Sequence, residues 1–375
     1  MNANELAEDI ALPFLRKVAP YVPGKPIEEL EREWGIRGSI KLASNENPLG
    51  PSPLAVEAMI KALQQVHRYP DGNGYYLRQR LGIATGIPFE GIVLGNGSDE
   101  IMEMAVRAFM TSGDAAVIPE LTFLLYSRIV LAVGGEVITV PLKSFRLDLE
   151  TIAQAVNGKT KIIFISNPNN PTGTAVDKRE FEAFLEHVPS KTVILLDEAY
   201  IEFARHSDIP YGTAYLKDHP NLVVLRTFSK AYGIAGVRIG YGMTHPAVAT
   251  FLNRVRLPFN TNSVAQAGAL AALSDHEFLE RSRKTIWEGL DYFYAQLDQL
   301  GLEYVKTEAN FFLVKVGAGR AVYEDMLREG VIIRCMDSWG MDSYVRINAG
   351  LPEENHRCME ALKRVLARRE KTFPQ

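Results

Sequence analysis

Short apolar runs alternate with amphipathic stretches between Ile92 and Tyr241. The runs are continuous and rich in β-branched residues, which is typical of strands buried on both faces of a mostly parallel sheet. The stretches between them have helical spacing, as from Asp99 to Met110, where the apolar side chains share one face. This pattern predicts an α/β layered domain. The predicted strands are residues 92–94, 115–118, 137–140, 162–165, 193–196 and 222–225.

The pattern changes towards the end of the chain. An alanine-rich helix is predicted over 264–273, helical spacing continues to about Leu300, and a last helix is predicted over 353–367. Between them, strands are predicted over 311–316, 331–334 and 344–347, so this part favours a smaller α+β domain. Prolines in 20–26 exclude regular helix there and indicate an extended arm. We therefore expect an arm over 1–40 that joins the small domain, a large domain over 41–265 and a small domain over 266–375.

Composition and charge narrow the class of protein. The chain has 375 residues, of which 47% are hydrophobic and 23% are charged, as in ordinary globular enzymes. Its net charge of −4 argues against a nucleic-acid or anionic-membrane partner. Two cysteines, Cys335 and Cys358, are too few for a disulfide framework. We found no signal peptide or membrane span and no metal-ligand spacing among the histidines. We therefore expect a cytoplasmic protein with no bound metal.

Candidate chemistry follows the predicted strands, because ligands of open α/β sheets bind at the carboxyl ends of the strands. The first run is followed by Gly95-Asn96-Gly97-Ser98-Asp99 and then a helix. Glycines allow a close approach of the backbone, and the amides of a helix N-terminus attract anions. The amides of Gly97 and Ser98 are therefore candidate phosphate ligands, although such a turn is often only a tight connection.

Two further strand ends carry polar side chains. Asn170 lies in a rigid proline-rich loop after 162–165, and a plain turn is the competing interpretation. Asp197 and Tyr200 follow 193–196. A carboxylate at the end of an apolar strand is costly unless it meets a cation such as a pyridinium nitrogen. The alternative for Asp197 is a solvated carboxylate.

The last predicted strand of the sheet leads into a cluster of polar residues. Thr227, Ser229, Lys230 and Arg238 lie within one short stretch. Hydroxyls and a guanidinium suit a phosphate. A partly desolvated lysine beside such groups has a lowered pKa and can act as an amine nucleophile. A single lysine is more often a solvated surface charge, but these neighbours favour the chemical interpretation.

Together these motifs resemble the fold-type I, pyridoxal-phosphate-dependent aminotransferases. The resemblance rests on Asn-Pro-Asn-Asn-Pro-Thr-Gly at 167–173, Asp-Glu-Ala-Tyr at 197–200, and Ser229-Lys230 with Arg238 eight residues later. It covers essentially the whole chain. Residues 20–26, 42–51 and 68–71 are similar to the histidinol-phosphate aminotransferase branch. Leu121 departs from that branch, which commonly has proline before Thr122, and this alters the turn before Phe123.

The resemblance implies a role for each cofactor residue. Lys230 is expected to carry pyridoxal phosphate as a Schiff base and to move the proton between the substrate Cα and the cofactor. Asp197 is expected to pair with the pyridine nitrogen, and Tyr200 and Asn170 with the phenolic oxygen. Phe123 is expected to stack on the ring. The residues expected around the cofactor phosphate are Gly97, Ser98, Thr227, Ser229 and Arg238, and Asp99 is also expected to bind the cofactor.

The resemblance also implies partners and substrates. Tyr69 matches a tyrosine that reaches the partner subunit's cofactor, which implies a homodimer with shared active sites. Tyr21, Asn47, Arg334 and Arg346 are expected to contact the substrate. The implied reaction converts histidinol phosphate and 2-oxoglutarate to imidazole acetol phosphate and glutamate, in histidine biosynthesis.

Two other activities remain open at this point. One is an aromatic amino-acid aminotransferase, because sequences of the two branches overlap. The other is a pyridoxal-phosphate decarboxylase of a phosphorylated amino acid, which would also use paired arginines. A regulator built on the same fold is disfavoured, because the first forty residues are neither basic nor patterned as a helix-turn-helix.

Overall fold

The computed structural model describes residues 2–20 and 23–372. Its strands are numbered in chain order. They are β1 Ile40–Lys41, β2 Ile92–Gly95, β3 Ala115–Pro119, β4 Glu136–Val140, β5 Thr160–Ser166, β6 Val193–Asp197, β7 Leu222–Thr227, β8 Gly240–Thr244, β9 Tyr304–Val305, β10 Phe311–Lys315, β11 Val331–Ile332, β12 Arg334–Cys335 and β13 Tyr344–Asn348.

The helices flank these strands, and several begin at a side chain that accepts a backbone N–H. Asp177 and Glu180 form a reciprocal capping box at α8, and Asn262 caps α10. The α-helices are α1 Ala3–Ile10, α2 Ile27–Trp34, α3 Pro53–Leu63, α4 Tyr75–Thr85, α5 Ser98–Phe109, α6 Leu125–Leu131, α7 Leu149–Gln154, α8 Lys178–His187, α9 Pro246–Val255, α10 Ser263–Ala272, α11 His276–Gln299, α12 Gly319–Arg328 and α13 Pro352–Thr372.

Seven strands form the large sheet, in the order β2-β8-β7-β6-β5-β3-β4. All neighbours from β7 to β4 are parallel, and β8 runs antiparallel to both β2 and β7. The prediction of an α/β fold with a mostly parallel central sheet, flanked by helices, is therefore confirmed.

The continuous apolar runs are explained by cores on both faces of this sheet. In β6, Ile194 and Leu196 belong to one core, whereas Val193 and Leu195 belong to the other. The first core includes side chains of α4, α7, α8 and α10, and the second includes side chains of α5, α6 and α9. Successive side chains of a strand point to opposite faces, so a strand covered on both sides is apolar at every position.

The pattern did not predict β8. This strand contains Gly240 and Gly242 rather than a β-branched run, so it gives no hydrophobic signal. Gly240 has a steric role, because a Cβ at this position would collide with the backbone nitrogen of Ser98. The glycine thus lets the loop before α5 lie directly against the sheet.

The C-terminal part forms a second unit around the antiparallel sheet β12-β13-β10-β9. The single strand predicted over 331–334 is wrong. Val331–Ile332 is β11 and pairs in parallel with β1, whereas Arg334–Cys335 is β12 and pairs with β13. The chain leaves one sheet and enters the other at Ile333. The pattern of hydrophobic residues along the sequence gives no sign of this change.

The domain boundaries stay a prediction, and we propose one revision. Ala265, Ala269 and Ala272 of α10 pack in a core of the large sheet, whereas Ile286 and Leu290 of α11 pack in the core of the second unit. We therefore propose that the large domain extends to the end of α10. β1 pairs with β11 of the C-terminal unit. This pairing supports the prediction that the segment before residue 41 joins the small domain.

Within residues 2–20 and 23–372, no helix combines the length and apolar character needed to cross a membrane. In the same residues, no group of three or more His, Cys, Asp or Glu side chains is arranged to hold a metal ion. Cys335 and Cys358 are free thiols.

Candidate active site

A cavity of about 200 Å³ lies at the carboxyl ends of the parallel strands and is also lined by residues of β12 and β13. Asp197 is the last residue of β6 and Thr227 is the last residue of β7, so the sheet itself brings both to the cavity. The predicted residues that line the cavity are Ser98, Asp99, Phe123, Asn170, Asp197, Tyr200, Thr227, Ser229, Lys230, Arg238, Arg334 and Arg346.

The Lys230 amine lies inside this cavity. Its Nζ donates a hydrogen bond to the carbonyl oxygen of Ser44 at 3.2 Å and lies 5.7 Å from the ring centre of Tyr200. Burial, together with the positive charge of Arg346, lowers the pKa of Lys230 to about 8. A larger fraction of this amine is therefore neutral at physiological pH than for a solvated lysine, and only the neutral amine is a nucleophile.

Asp197 is buried at the floor of the cavity. Its Oδ2 accepts a 2.7 Å hydrogen bond from the Tyr126 hydroxyl, and its Oδ1 accepts one from the Ala199 amide at 3.1 Å. Burial raises the pKa of Asp197 to about 6, although the bond from Tyr126 acts in the opposite direction. A cationic group placed against this carboxylate would favour its ionised form.

The Tyr200 hydroxyl is oriented by two asparagines. Its oxygen accepts hydrogen bonds from Nδ2 of Asn45 at 2.9 Å and from Nδ2 of Asn170 at 3.4 Å. Burial raises the pKa of Tyr200 to about 12, so the hydroxyl keeps its proton. Because both amides donate to the oxygen, the proton of Tyr200 is available to an acceptor in the cavity.

An anion cradle is built where α5 begins. Gly97 precedes the helix with φ 83°, and a Cβ there would collide with the guanidinium of Arg238. Arg238 itself has φ 57°; its Nη1 donates to Ser229 Oγ at 3.2 Å, and its Nη2 lies 3.3 Å from Asp99 Oδ2. The helix N-terminus, the hydroxyl and the guanidinium converge, as a phosphate requires.

Two arginines of the small sheet also line the cavity. Arg346 is buried; its Nη1 donates to Oδ1 of Asn170 at 2.6 Å and its Nη2 to the carbonyl oxygen of Ala43 at 2.9 Å. Arg334 is half-buried on the neighbouring strand. These groups bring positive charge to the cavity that Asp197 also lines.

Some predicted residues lie elsewhere. Asn47 is buried outside the cavity, where its Nδ2 donates to the carbonyl oxygen of Ala231 and to Ser282 Oγ, both at 2.8 Å. Tyr69 is 82% exposed and stacks on Phe259 with ring centres 4.7 Å apart. Tyr21 lies outside the described residues.

The sequence analysis did not single out Asn45, Tyr126 or Trp339. Asn45 is only two positions from Asn47 in a segment that carried the resemblance, and it is Asn45 that contacts Tyr200. Tyr126 is a buried residue in the first turn of α6 and gave no chemical signal. Trp339 lines the cavity from a 3₁₀ turn, Asp337–Trp339, and a tryptophan in a loop gives only a weak signal.

These residues fit the pyridoxal phosphate that the resemblance implies. The buried carboxylate of Asp197 is suited to a pyridine nitrogen, Lys230 to the aldehyde, and the cradle of Gly97, Ser229 and Arg238 to a phosphate. The fit rests on the raised pKa of Asp197 and on the glycine that leaves room beside the arginine.

Comparisons with known proteins agree with this site. The model of the family described as aminotransferase class I and II matches residues 37–362. Histidinol-phosphate aminotransferase 1 of Nitrosococcus oceani is 46% identical over 365 residues, which cover 97% of this chain and 99% of that protein. The histidinol-phosphate aminotransferase of Moorella thermoacetica is 45% identical over 352 residues, which cover 93% and 91%.

A solved structure of a similar protein has the same fold as this chain. The histidinol-phosphate aminotransferase from Sinorhizobium meliloti, crystallised in complex with pyridoxal-5'-phosphate, aligns with a TM-score of 0.88 at 28% identity. The alignment covers 96% of this chain and 98% of that one. The resemblance inferred from the motifs is thereby confirmed, and the chain belongs to the class I and II aminotransferase family.

Proposed function

We propose that the protein is a histidinol-phosphate aminotransferase. It transfers an amino group between histidinol phosphate and 2-oxoglutarate, giving imidazole acetol phosphate and glutamate, in the synthesis of histidine. The observation that carries this is one cavity that joins a lysine of lowered pKa, a buried carboxylate and the guanidinium groups of Arg334 and Arg346. The near-full-length similarity to histidinol-phosphate aminotransferases supports the substrate.

The cofactor is pyridoxal phosphate. When bound, it supplies an aldehyde that takes up the amino group and a ring that accepts electrons from the broken Cα–H bond. We infer that Asp197 holds the pyridine nitrogen and that Tyr200 and Asn170 donate to the phenolic oxygen. The loop of Gly97 and Ser98, with Arg238, holds the phosphate.

Lys230 performs the proton chemistry in this proposal. With the cofactor bound, its amine would hold the aldehyde and would move the proton at the substrate Cα. A pKa of about 8 suits both tasks, since a general base is most effective when its pKa is near the working pH. The Ser44 carbonyl holds this amine close to the cavity wall.

Arg346 and Arg334 are the proposed substrate anchors. A guanidinium binds a carboxylate or a phosphate bidentately, so Arg346 can serve glutamate and histidinol phosphate in turn. Arg334 adds the second positive charge that a phosphate dianion requires. Phe123, which packs edge-on against Tyr126, is the proposed stacking partner of the cofactor ring.

We also propose a cytoplasmic homodimer. Tyr69 lies outside the cavity of its own chain, so any contact with a cofactor phosphate requires a second copy. Phe259, on which Tyr69 stacks, is exposed, and so are other large apolar side chains of the described residues, as on the surface of a subunit that has a partner. They include Ile60, Leu63, Val66, Tyr76, Ile83 and Leu257.

The lowered pKa of Lys230 predicts how cofactor attachment depends on pH. Covalent attachment to the cofactor-free protein should rise with pH and reach half its maximum near pH 8, because the amine must lose its proton first. Borohydride reduction followed by mass spectrometry measures the attached fraction. Lys230→Ala is the control and should show no attachment; a midpoint near the ordinary lysine value would contradict the assignment.

Arg334→Ala should impair the phosphorylated substrate selectively. Loss of a charged hydrogen bond should lower kcat/KM for histidinol phosphate by about tenfold or more, with a smaller effect for glutamate. Steady-state kinetics of both half-reactions measures this difference. Arg328→Ala, which removes a surface arginine paired with Asp325, is the matched control and should change neither. Equal losses for both substrates would assign Arg334 a structural role.

The shared site can be tested by mixing inactive subunits. If Tyr69 acts in the partner's site, a Tyr69→Ala/Lys230→Ala heterodimer has one site with both defects and one intact site. Activity of the mixture should therefore exceed that of either variant alone. Tyr69→Phe tests whether the hydroxyl is the group required. No gain on mixing, in a sample shown to exchange subunits, would place Tyr69 outside the site.

A further inference from the structure

Two like charges face each other at the substrate end of the cavity. Arg334 of β12 and Arg346 of β13 are direct partners in the antiparallel register. Side chains of directly opposite residues lie on the same face of a sheet, a few ångströms apart, and like charges in this arrangement repel. The molecule therefore needs a means of holding both guanidinium groups in place before an anion arrives.

The indole ring of Trp339 lies beside both of them. Its centre is 5.6 Å from Cζ of Arg334 and 5.9 Å from Cζ of Arg346. A tryptophan face attracts a guanidinium electrostatically at such distances, and the attraction grows when solvent is excluded. Trp339 is half-buried and lines the cavity, so one ring stabilises two cations that otherwise repel each other.

A hydrogen bond to a distant loop holds the Trp339 ring in place. Its Nε1 donates a 2.7 Å hydrogen bond to the carbonyl oxygen of Thr122, which is 217 positions away in sequence. Thr122 is buried next to Phe123, and its hydroxyl donates to Oδ1 of Asn169 at 2.9 Å. The segment that carries Thr122 and Phe123 therefore fixes the position of the Trp339 ring, which contacts both arginines of the small sheet.

We propose that Trp339 is a positioning residue that determines the affinity of the Arg334–Arg346 pair for a phosphate monoester. This inference rests on the proposed function for the identity of the substrate. In the proposed function Arg334 serves the phosphate, whereas Arg346 serves a phosphate and a carboxylate in turn, and the ring contacts both arginines. Loss of the ring should therefore weaken phosphate binding more than carboxylate binding.

Calorimetric titration of inorganic phosphate into the protein saturated with pyridoxal phosphate tests this directly. Trp339→Leu removes the ring face and should weaken phosphate binding by about tenfold, a loss between those expected for an exposed and for a desolvated cation–π contact. Trp339→Phe keeps a ring face without the N–H donor and should lose less. Trp34→Leu is the matched control, because Trp34 lies under Arg328 at the surface, 5.5 Å from its Cζ, and it should bind phosphate as the wild type does.

Kinetics separates positioning from general damage. Trp339→Leu should raise KM for histidinol phosphate by about tenfold and leave kcat with glutamate within about twofold. Unchanged phosphate affinity, or equal losses for both substrates, would overturn the inference. If the leucine variant fails to fold, Trp339→Met replaces the ring with an unbranched apolar chain and gives the same test.

The two proposals fail in different ways. If the wild type transaminates phenylalanine but not histidinol phosphate, the proposed substrate is wrong, whereas Trp339-dependent phosphate binding would still support the inference. If histidinol phosphate is the substrate and phosphate binding does not depend on Trp339, the proposed function stands and the inference is overturned.

Discussion

The buried carboxylate of Asp197 is the constraint on which the site depends. It ends a strand that is apolar along its whole length, and burial raises its pKa to about 6. The hydroxyl of Tyr126 and the amide of Ala199 offset part of the cost of its ionisation. A pyridine nitrogen that became protonated against this carboxylate would favour its ionised form further and would gain the capacity to accept electrons.

A buried ion pair links the strand that ends in this carboxylate to the strand that leads to the lysine. Glu198, next to Asp197, is fully buried and binds Arg226 at 2.8 Å. Arg226 precedes Thr227 at the end of the neighbouring strand β7, which leads to Lys230. The pair therefore joins the two loops that carry the chemistry. Removal of one partner would leave a buried charge without its counter-ion, which is costly, so both residues matter although neither lines the cavity.

Much of the site could be predicted because its residues follow strand ends. Asp197 directly follows an apolar run, and Asn170, Thr227 and Lys230 lie within five residues of the end of one, while parallel strands end at one edge of a sheet. The α/β class followed from the same runs. The small sheet was harder, since the change of sheets at Ile333 depends on pairing with β1 far away in sequence.

The remaining residues of the site could not be predicted, because they depend on contacts between residues that are far apart in the sequence. Tyr126 reaches Asp197 across 71 positions, and Trp339 reaches Thr122 across 217. Asn45 and Asn47 are the same residue type two positions apart, and it is Asn45, with φ 56°, that donates to Tyr200. Tyr69 requires a second subunit for its predicted role.

The most direct test of the account is to mix the protein, loaded with pyridoxal phosphate, with L-histidinol phosphate and follow the absorbance of the cofactor. Conversion to the pyridoxamine form, with L-glutamate giving the same change and 2-oxoglutarate reversing it, is the predicted result. Phenylalanine and a phosphorylated threonine serve as competing substrates. Conversion by phenylalanine alone, or release of carbon dioxide from the phosphorylated threonine, would contradict the proposed activity.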